Sequence, residues 1–295
     1  MKKAWLNKKY IAKLACRWTT GVFSLLGFIG TFASLSEIVP TKWPVPYKIL
    51  LSLGIVTAVW LFFFIACSVW FEKKKWIEIL ETNNDCHVYV QYGDVFSENE
   101  VGNPNERRTI VIPVNRCFDT IVDNDLVSEK SLHGIAFKKL YITGKYNENT
   151  LDIALQEDLT NRQRIVSDSI ARSEKRKGNL KRYPVGTISE VEASNNAVFF
   201  FMALSTFDQG LTAHTTQEEY VLAMQRLIEY CNSRSQGYPV VMPLIGGGLS
   251  KTRNSERAIL EYVVKLLKMN KDLITNDIHI VVRNSGRDVI PITEL

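Results

Sequence analysis

The chain has 295 residues, of which 46% are hydrophobic and 23% charged, so it is long enough for one sizeable core and a further module. Its formal net charge of +5 would suit a nucleic-acid-binding protein. The basic residues gather instead at the N-terminus, at residues 73–75 and between residues 162 and 182, and two of these groups flank apolar segments. Anionic lipid is therefore the expected partner of these charges, and no nucleic acid is expected.

The cysteines and histidines give no sign of a metal site. The five cysteines show no CxxC spacing, which predicts reduced thiols in a cytosolic setting. The four histidines are scattered and lack the paired spacing of metal ligands. We therefore expect neither a bound metal nor a resident cofactor.

Two apolar segments, residues 19–39 and 49–71, dominate the first part of the chain. At ~1.5 Å per residue, each is long enough for the ~30 Å hydrocarbon core of a bilayer. A proline-rich turn at residues 40–46 separates them, which predicts a two-helix transmembrane hairpin within a membrane module of residues 1–75. Lys and Arg crowd the outer ends of both segments, so the positive-inside rule predicts a multi-pass protein with both termini in the cytoplasm.

A signal peptide is the competing interpretation of residues 19–39. The basic leader is long, no convincing small-x-small cleavage site follows, and a second apolar segment comes straight after, so the transmembrane interpretation is favoured. Small residues recur four positions apart in these segments, as at Gly54 and Ala58, which permits close helix packing. Such packing would either hold the hairpin together or join copies in a homo-oligomer, and the sequence leaves both open.

The remainder, residues 86–295, alternates strand-like and helix-like segments after a linker at residues 76–85 that begins with a helix-like run, 76–81. The predicted strands are residues 86–92, 109–114, 185–191, 197–205, 240–245 and 277–284. The predicted helices are residues 151–175, 216–233 and 254–269, with a further helix start within residues 127–134. Thr216 and Glu219 have the spacing of a capping box. This alternation predicts an α/β fold with a mixed sheet covered by helices on both faces, a three-layer domain.

The stretch at residues 240–250 carries the strongest hint of chemistry. A short apolar run ends in Gly246, Gly247 and Gly248, and a helix follows. Glycine lacks Cβ, so a ligand can approach the backbone, and the N–H groups of the loop and the helix start can converge on an anion. The pattern suggests a diphosphate cradle. A tight strand-to-helix turn that needs glycine only for its geometry explains these residues equally well.

Polar residues also follow two other predicted strands. Asp94 comes just after residues 86–92, and Asn115 directly follows residues 109–114. Open α/β sheets bind ligands beyond the carboxyl ends of their strands. These two side chains therefore belong to the same candidate site.

With these pieces in order, the region from about residue 86 to residue 284 resembles a macro domain, the ADP-ribose-binding fold. The segment from Tyr92 to Val95 is similar to the family's Gly-Asp-Ile segment, and Asn115 to the first asparagine of its Val-Asn-Ala-Ala-Asn stretch. Residues 131–134 and 243–249 stand where its two phosphate loops belong, and residues 184–187 resemble its Pro-Gly-x-x segment.

The resemblance implies an ADP-ribose derivative as ligand, with Asp94 at the adenine amino group, Asn115 near the distal ribose and the two loops on the diphosphate. The ligand-binding residues that it implies are Asp94, Val95, Asn115, Ser131, Leu132, His133, Gly134, Ile245, Gly246, Gly247, Gly248, Leu249, Ser250 and Asn284.

The chain departs from the family pattern in ways that favour binding over catalysis. Phe118 replaces the second asparagine, the first loop is not a glycine run, and Leu249 stands where many members place an aromatic. The triplet at residues 217–219 is similar to a catalytic signature of poly(ADP-ribose) glycohydrolases, but it precedes the glycine run and fits helix capping better. We therefore predict no catalytic residues.

Hydrolysis remains the main alternative. A membrane-tethered ADP-ribosyl hydrolase would need an acid beside the ribose, and Asp119, Asp123 and Asp125 are the candidates. A third possibility is a structural tether with a degenerate pocket.

Two transmembrane spans followed by a divergent macro domain resemble the membrane effectors of Thoeris-type anti-phage defence. That resemblance implies a location in the bacterial inner membrane and a functional link to a TIR-domain protein that makes the signal. It further implies sensing of a histidine-linked ADP-ribose, followed by oligomerisation and membrane disruption in abortive infection.

Overall fold

A computed structural model describes residues 2–30, 44–194, 196–246, 255–293 and 295. The chain divides into two compact units, one formed by its first 75 residues together with residues 287–294, the other by residues 76–286 and Leu295. Part of the predicted first span (31–39) and residues 40–43 of the turn after it lie outside the described residues, as do Gly247, Gly248, Leu249 and Ser250.

The described residues of the first unit form three helices, α1 (Lys2–Leu6), α2 (Lys8–Gly30) and α3 (Val45–Lys73). Helix α2 begins at Lys8, well before residue 19, where the first apolar segment is predicted to start. Most of the basic leader is therefore helical. Helices α2 and α3 pack side by side, with the indole Nε1 of Trp60 3.2 Å from Sγ of Cys16. Within the described ranges, α3 is the one helix long and apolar enough to cross a membrane. Helix α3 therefore corresponds to the second predicted span, whereas the first predicted span stays a prediction.

The C-terminal segment forms part of this first unit. The Asn7 side chain is 2% exposed, and its Oδ1 accepts hydrogen bonds from the N–H of Ile292 (3.0 Å), the N–H of Thr293 (3.1 Å) and the Thr293 hydroxyl (2.7 Å). Ile290 and Ile292 are buried, and Arg287 pairs with Glu72 at 3.0 Å. Residues 287–293, predicted as part of the macro-like domain, are therefore reassigned to the N-terminal unit.

The second unit is built on one mixed eight-stranded sheet, which confirms the predicted α/β class. Seven strands follow the order β1-β2-β10-β9-β3-β7-β6, and β8 pairs with β7. Strands β2, β10, β9, β3 and β7 are mutually parallel, whereas β1, β6 and β8 run antiparallel to their neighbours. The strands are β1 (Trp76–Glu81), β2 (His87–Gly93), β3 (Arg108–Asn115), β4 (Asp168–Ser169), β5 (Lys181–Arg182), β6 (Ile188–Ser194), β7 (Ala197–Phe207), β8 (Ala213–His214), β9 (Val240–Pro243) and β10 (Ile278–Arg283), with β4 and β5 forming a separate pair.

Helices cover both faces of the sheet, as the three-layer prediction requires. They are α4 (Leu132–Ile142), α5 (Glu148–Gln156), α6 (Gln217–Arg234) and α7 (Glu256–Met269). Successive residues of β7 point to opposite faces. Phe201 meets Phe137 of α4 edge-on at 4.9 Å, whereas Phe200 meets Tyr230 of α6 at 5.3 Å. A strand buried on both faces needs the unbroken apolar run that β7 has.

Two predicted helices are wrong. Residues 76–81 form the edge strand β1, because pairing with β2 from Trp76 opposite Gln91 onward overrides a helical period that six residues scarcely define. The helix predicted at residues 151–175 ends at Gln156 and passes through a π-helical turn to Arg162. There the buried Asp158 carboxylate accepts hydrogen bonds from the Ser189 hydroxyl at 2.7 Å and the Glu190 N–H at 3.1 Å. These two bonds attach the turn to β6, and the regular helix ends before them.

Replacing Asn7 with Ala should loosen the C-terminal segment, since three donors lose the oxygen that they share. Leaving these buried donors unpaired costs about 2 kcal/mol. We expect a lower thermal midpoint of the detergent-solubilised chain and faster hydrogen exchange at the amides of Ile292 and Thr293. Asn103→Ala is the control, because the Asn103 side chain accepts the N–H of Asn105 in an exposed turn. Equal protection of the two tail amides in both variants would contradict this role.

Candidate functional site

The pairing between β3 and β9 ends early, and we call the space between the carboxyl ends of these strands the crevice. The two strands pair only at Thr109 opposite Val240 and Ile110 opposite Val241. Beyond that point β3 continues alongside β7, and β9 alongside β10. Their carboxyl ends are therefore not joined by ladder hydrogen bonds, and such a gap is where open α/β sheets receive ligands.

Asn115 stands at one lip of this crevice, at the end of β3. Its Oδ1 accepts hydrogen bonds from the N–H groups of Cys117 at 2.9 Å and Asp119 at 3.4 Å, which shapes the turn after the strand. The side chain is only 3% exposed, and its Nδ2 has no hydrogen-bond partner within the part of the chain that the structure describes. A buried amide donor left unpaired costs about 1–3 kcal/mol, so this group is suited to a ligand acceptor.

The other lip is the end of β9. Its last residues stay attached to β10, because the Leu244 N–H donates to the Val281 carbonyl at 3.2 Å. Ile245 and Gly246 are buried, and Gly246 has a φ of +95°. A side chain is strained at that angle, so the turn itself requires this glycine. Helix α7 follows with Ser255 as its N-cap, close to the predicted start at residue 254.

The predicted first phosphate loop, residues 131–134, is the N-terminus of α4. Ser131 is the N-cap, and its hydroxyl accepts the Gly134 N–H at 3.0 Å. A Cβ at Gly134 would lie 2.2 Å from the Ser128 carbonyl oxygen, so close packing explains this glycine. Leu132 and His133 carry the first two N–H groups of the helix, which have no carbonyl within the helix to bond. The segment thus offers fewer free donors than predicted, because the Gly134 N–H is already bonded.

His133 is buried, and its ring lies edge-on to Phe137 with the centroids 4.5 Å apart. Burial lowers the pKa of His133 to about 3 and outweighs a hydrogen bond with the Asp119 backbone, which raises it. The imidazole is therefore neutral at physiological pH. Its Nε2 has no partner in the described segments.

The strand order brings the other predicted residues to the same sheet edge. Asp94 follows β2, Asn284 follows β10, and β10 lies between β2 and β9. Asp94 is exposed, and its Oδ1 accepts the Phe96 N–H at 3.1 Å, while Val95 is buried beside it. Asn284 is exposed as well. Asp94 and Asn284 are therefore exposed at the same sheet edge as the end of β9.

The three acids considered for hydrolysis are all engaged in ion pairs. Asp119 is buried, and its Oδ2 lies 2.5 Å from Nζ of Lys175, which is itself fully buried. The Asn179 N–H donates to its Oδ1 at 2.6 Å. Asp123 and Asp125 pair with Lys177, and Asp125 also pairs with the Arg176 guanidinium.

Lys175 is the residue that sequence reasoning missed. It lies in the run of basic residues between 172 and 182, which reads as a solvated surface, and nothing in its local pattern distinguishes it. Asn179 adds a bond to Asp152 at 2.7 Å. Burial raises the pKa of Asp119, while the Lys175 ammonium and the Asn179 N–H lower it. These contacts stabilise the loop after β3 and occupy both carboxylate oxygens of Asp119.

The triplet at residues 217–219 opens α6, and the predicted capping box is confirmed. The Thr216 hydroxyl accepts the Glu219 N–H at 3.1 Å, and the Glu219 carboxylate accepts the Thr216 N–H at 2.9 Å. Phe118, which takes the place of the family's second asparagine, is a core residue packed edge-on against Tyr183.

Comparison with known proteins identifies one matching family and several similar solved structures. The family described as "Thoeris protein ThsA, Macro domain" matches residues 88–283. The Thoeris protein ThsA of Bacillus amyloliquefaciens is 27% identical over 178 residues, which cover 60% of this chain and 54% of that protein. The chain thus matches only about half the length of that relative.

Solved structures of the Oceanobacillus iheyensis macrodomain are also similar. A mutant with ADPR has a TM-score of 0.47 at 12% identity, covering 72% of this chain and 92% of that one. The same macrodomain with ADP has a TM-score of 0.46 at 9% identity, covering 72% and 90%.

The second unit should lose stability as the pH falls from 6.5 towards 3, partly through His133. In that range histidine is protonated in the unfolded chain but neutral in the folded one. Each unit by which the pH is lowered therefore reduces the free energy of unfolding by up to about 1.4 kcal/mol. We expect His133→Gln to show a smaller drop in thermal midpoint between pH 6.5 and 5. His214→Gln, at an exposed position, is the control. An unchanged slope for His133→Gln would refute this assignment.

Replacing Lys175 with Met should be strongly destabilising, because Asp119 would remain buried without its partner. Removing one member of a buried pair costs about 3–5 kcal/mol. The double variant Lys175→Met with Asp119→Leu should recover part of the loss. Arg176→Met, which breaks a solvent-exposed pair, should have a much smaller effect. Chemical denaturation measures all three, and a similar loss for Lys175→Met and Arg176→Met would show that the buried pair has no special weight.

Proposed function

The chain belongs to the macro-domain family of the Thoeris protein ThsA, and from that premise we propose that it is a membrane-anchored effector that binds an ADP-ribose-derived nucleotide. The crevice between β3 and β9 carries this proposal. It sits at the carboxyl edge of a parallel set of strands, with the unpartnered Asn115 amide at one lip and the Gly246 turn at the other. The α7 N-terminus follows the glycines and favours negative charge.

The ligand would lie along this edge. Its diphosphate would meet the segment that begins at Gly246 and the first N–H groups of α4, and its distal ribose would meet Asn115. The adenine would extend over β10 towards Asp94, in keeping with the order β3-β9-β10-β2. Residues 247–250 would supply further N–H groups to the diphosphate. Peptide N–H groups fixed around an anion are favourable because they need little reorganisation when it binds.

Binding without turnover is the mode that we favour. Hydrolysis requires a carboxylate or a positioned water beside the ribose. Asp119 is held by Lys175 and Asn179, and the carboxylates of Asp123 and Asp125 face basic side chains. An ADP-ribosyl hydrolase remains the alternative, and a measured turnover would decide in its favour.

Signal transmission to the membrane has a covalent route at the same sheet edge. Strand β1 begins at Trp76, three residues after α3 ends at Lys73, and Trp76 pairs with Gln91 near the carboxyl end of β2. Strand β10 ends at Arg283, a few residues before the segment that belongs to the N-terminal unit. The start of β1 and the end of β10 therefore both lie at the sheet edge where the nucleotide would bind.

We propose that occupancy of the crevice biases the N-terminal helices towards oligomerisation and disruption of the bacterial inner membrane, in response to a histidine-linked ADP-ribose made by a TIR-domain partner. A ligand shifts such an equilibrium only by its differential affinity for the two states. Moving it from 1:99 to 99:1 requires about 5.5 kcal/mol, which several protomers binding together would share.

Calorimetry on the full-length chain in detergent tests the binding step. We expect ADP-ribose and histidine-linked ADP-ribose to bind, and Asn115→Ala to weaken binding about three- to tenfold through loss of one hydrogen bond. Asn103→Ala, in an exposed turn and outside the predicted set of ligand-binding residues, should leave the affinity unchanged. Absence of binding by the wild-type chain would end the sensing proposal. Release of free ADP-ribose from a modified substrate would favour the hydrolase instead.

A further inference from the structure

The first turn of α6 lies between the two lips of the crevice and is bonded to both. Two consecutive residues make these bonds, Glu219 to the β3 side and Tyr220 to the β9 side. The strands themselves share no ladder hydrogen bonds at this level, because their pairing ends at Ile110 and Val241. The helix therefore supplies a connection that the sheet lacks.

On the β3 side the contact is an ion pair. The Glu219 carboxylate receives Nη1 of Arg116 at 3.0 Å while its other oxygen completes the capping box. Arg116 directly follows Asn115, and its Nε donates to the Tyr183 carbonyl at 2.8 Å. Its backbone N–H donates to the Ser205 carbonyl, also at 2.8 Å. Both charged side chains are mostly buried, so solvent screens this pair less than it screens a surface pair.

On the β9 side the contact is a neutral hydrogen bond to the backbone. The buried Tyr220 hydroxyl donates to the Ile245 carbonyl at 3.0 Å, and the Tyr220 ring packs against Tyr262 of α7. Ile245 immediately precedes Gly246, whose missing side chain leaves the peptide with wide torsional freedom. A carbonyl held by a buried hydroxyl fixes the orientation of the Ile245–Gly246 peptide, and with it the direction of the Gly246 N–H.

We propose that Glu219 and Tyr220 are positioning residues that set the width of the crevice and orient the Gly246 turn for the nucleotide. This inference rests on the proposed function, since it concerns the same site. Neither side chain needs to touch the ligand. Their effect is to hold Asn115 and Gly246 at a fixed separation before binding, so that less conformational freedom is lost when the diphosphate arrives.

The test uses a matched pair of tyrosines on one helix. Tyr220→Phe removes the bond to Ile245, while Tyr230→Phe removes an equivalent hydroxyl that donates to Glu190 at 2.8 Å, on β6 and away from the crevice. In the full-length chain, calorimetry should show ADP-ribose affinity about three- to tenfold weaker for Tyr220→Phe and unchanged for Tyr230→Phe. Glu219→Gln, which retains a capping side chain, should weaken binding in the same direction.

Hydrogen exchange without ligand supplies a readout that general destabilisation would not produce. Exchange at residues 245–246 should rise in Tyr220→Phe beyond any rise in Tyr230→Phe. Unchanged exchange there, or unchanged affinity when the wild-type chain binds, would overturn the positioning role and leave the proposed function standing. If the wild-type chain failed to bind ADP-ribose, the proposed function would fall, and this inference with it.

Discussion

The parting of β3 and β9 is the constraint on which the rest of the second unit depends. Two residue pairs join β3 and β9 near their starts. Beyond these pairs, β3 continues alongside β7 and β9 continues alongside β10. A sheet that splits in this way leaves backbone and side-chain polar groups facing a gap rather than a ladder. The resulting crevice explains why a buried amide such as that of Asn115 can lack a partner without being a packing fault.

Polar contacts at the crevice fall into two kinds with different physical roles. The contacts around Asp119 stabilise the loop after β3, and they pair the Asp119 carboxylate with the buried ammonium group of Lys175. The contacts of Glu219 and Tyr220 connect the two lips through one helix turn. A buried ion pair contributes little net stability but is costly to break, so the first kind favours one loop conformation over others. In our proposal the second kind holds Asn115 and Gly246 at a fixed separation.

Several features could be read from local pattern because local physics determines them. The apolar run of β7 is buried on both faces, the capping box begins α6, and α3 has the length and apolarity of a span. Gly246 needs a positive φ that its position between strand and helix already suggested. In each case the residues that decide the structure lie within one element or one turn.

The sequence by itself determined the α/β class, the apolar helix α3 and the strand-end positions of Asp94 and Asn115. Only the tertiary structure decided that residues 76–81 pair as a strand, that Asp158 ends α5 early, and that Lys175 is buried. It also decided that the C-terminal segment belongs with Asn7. The physical reason is distance along the chain, since each of these outcomes depends on a hydrogen bond or ion pair between elements that no local period or propensity encodes.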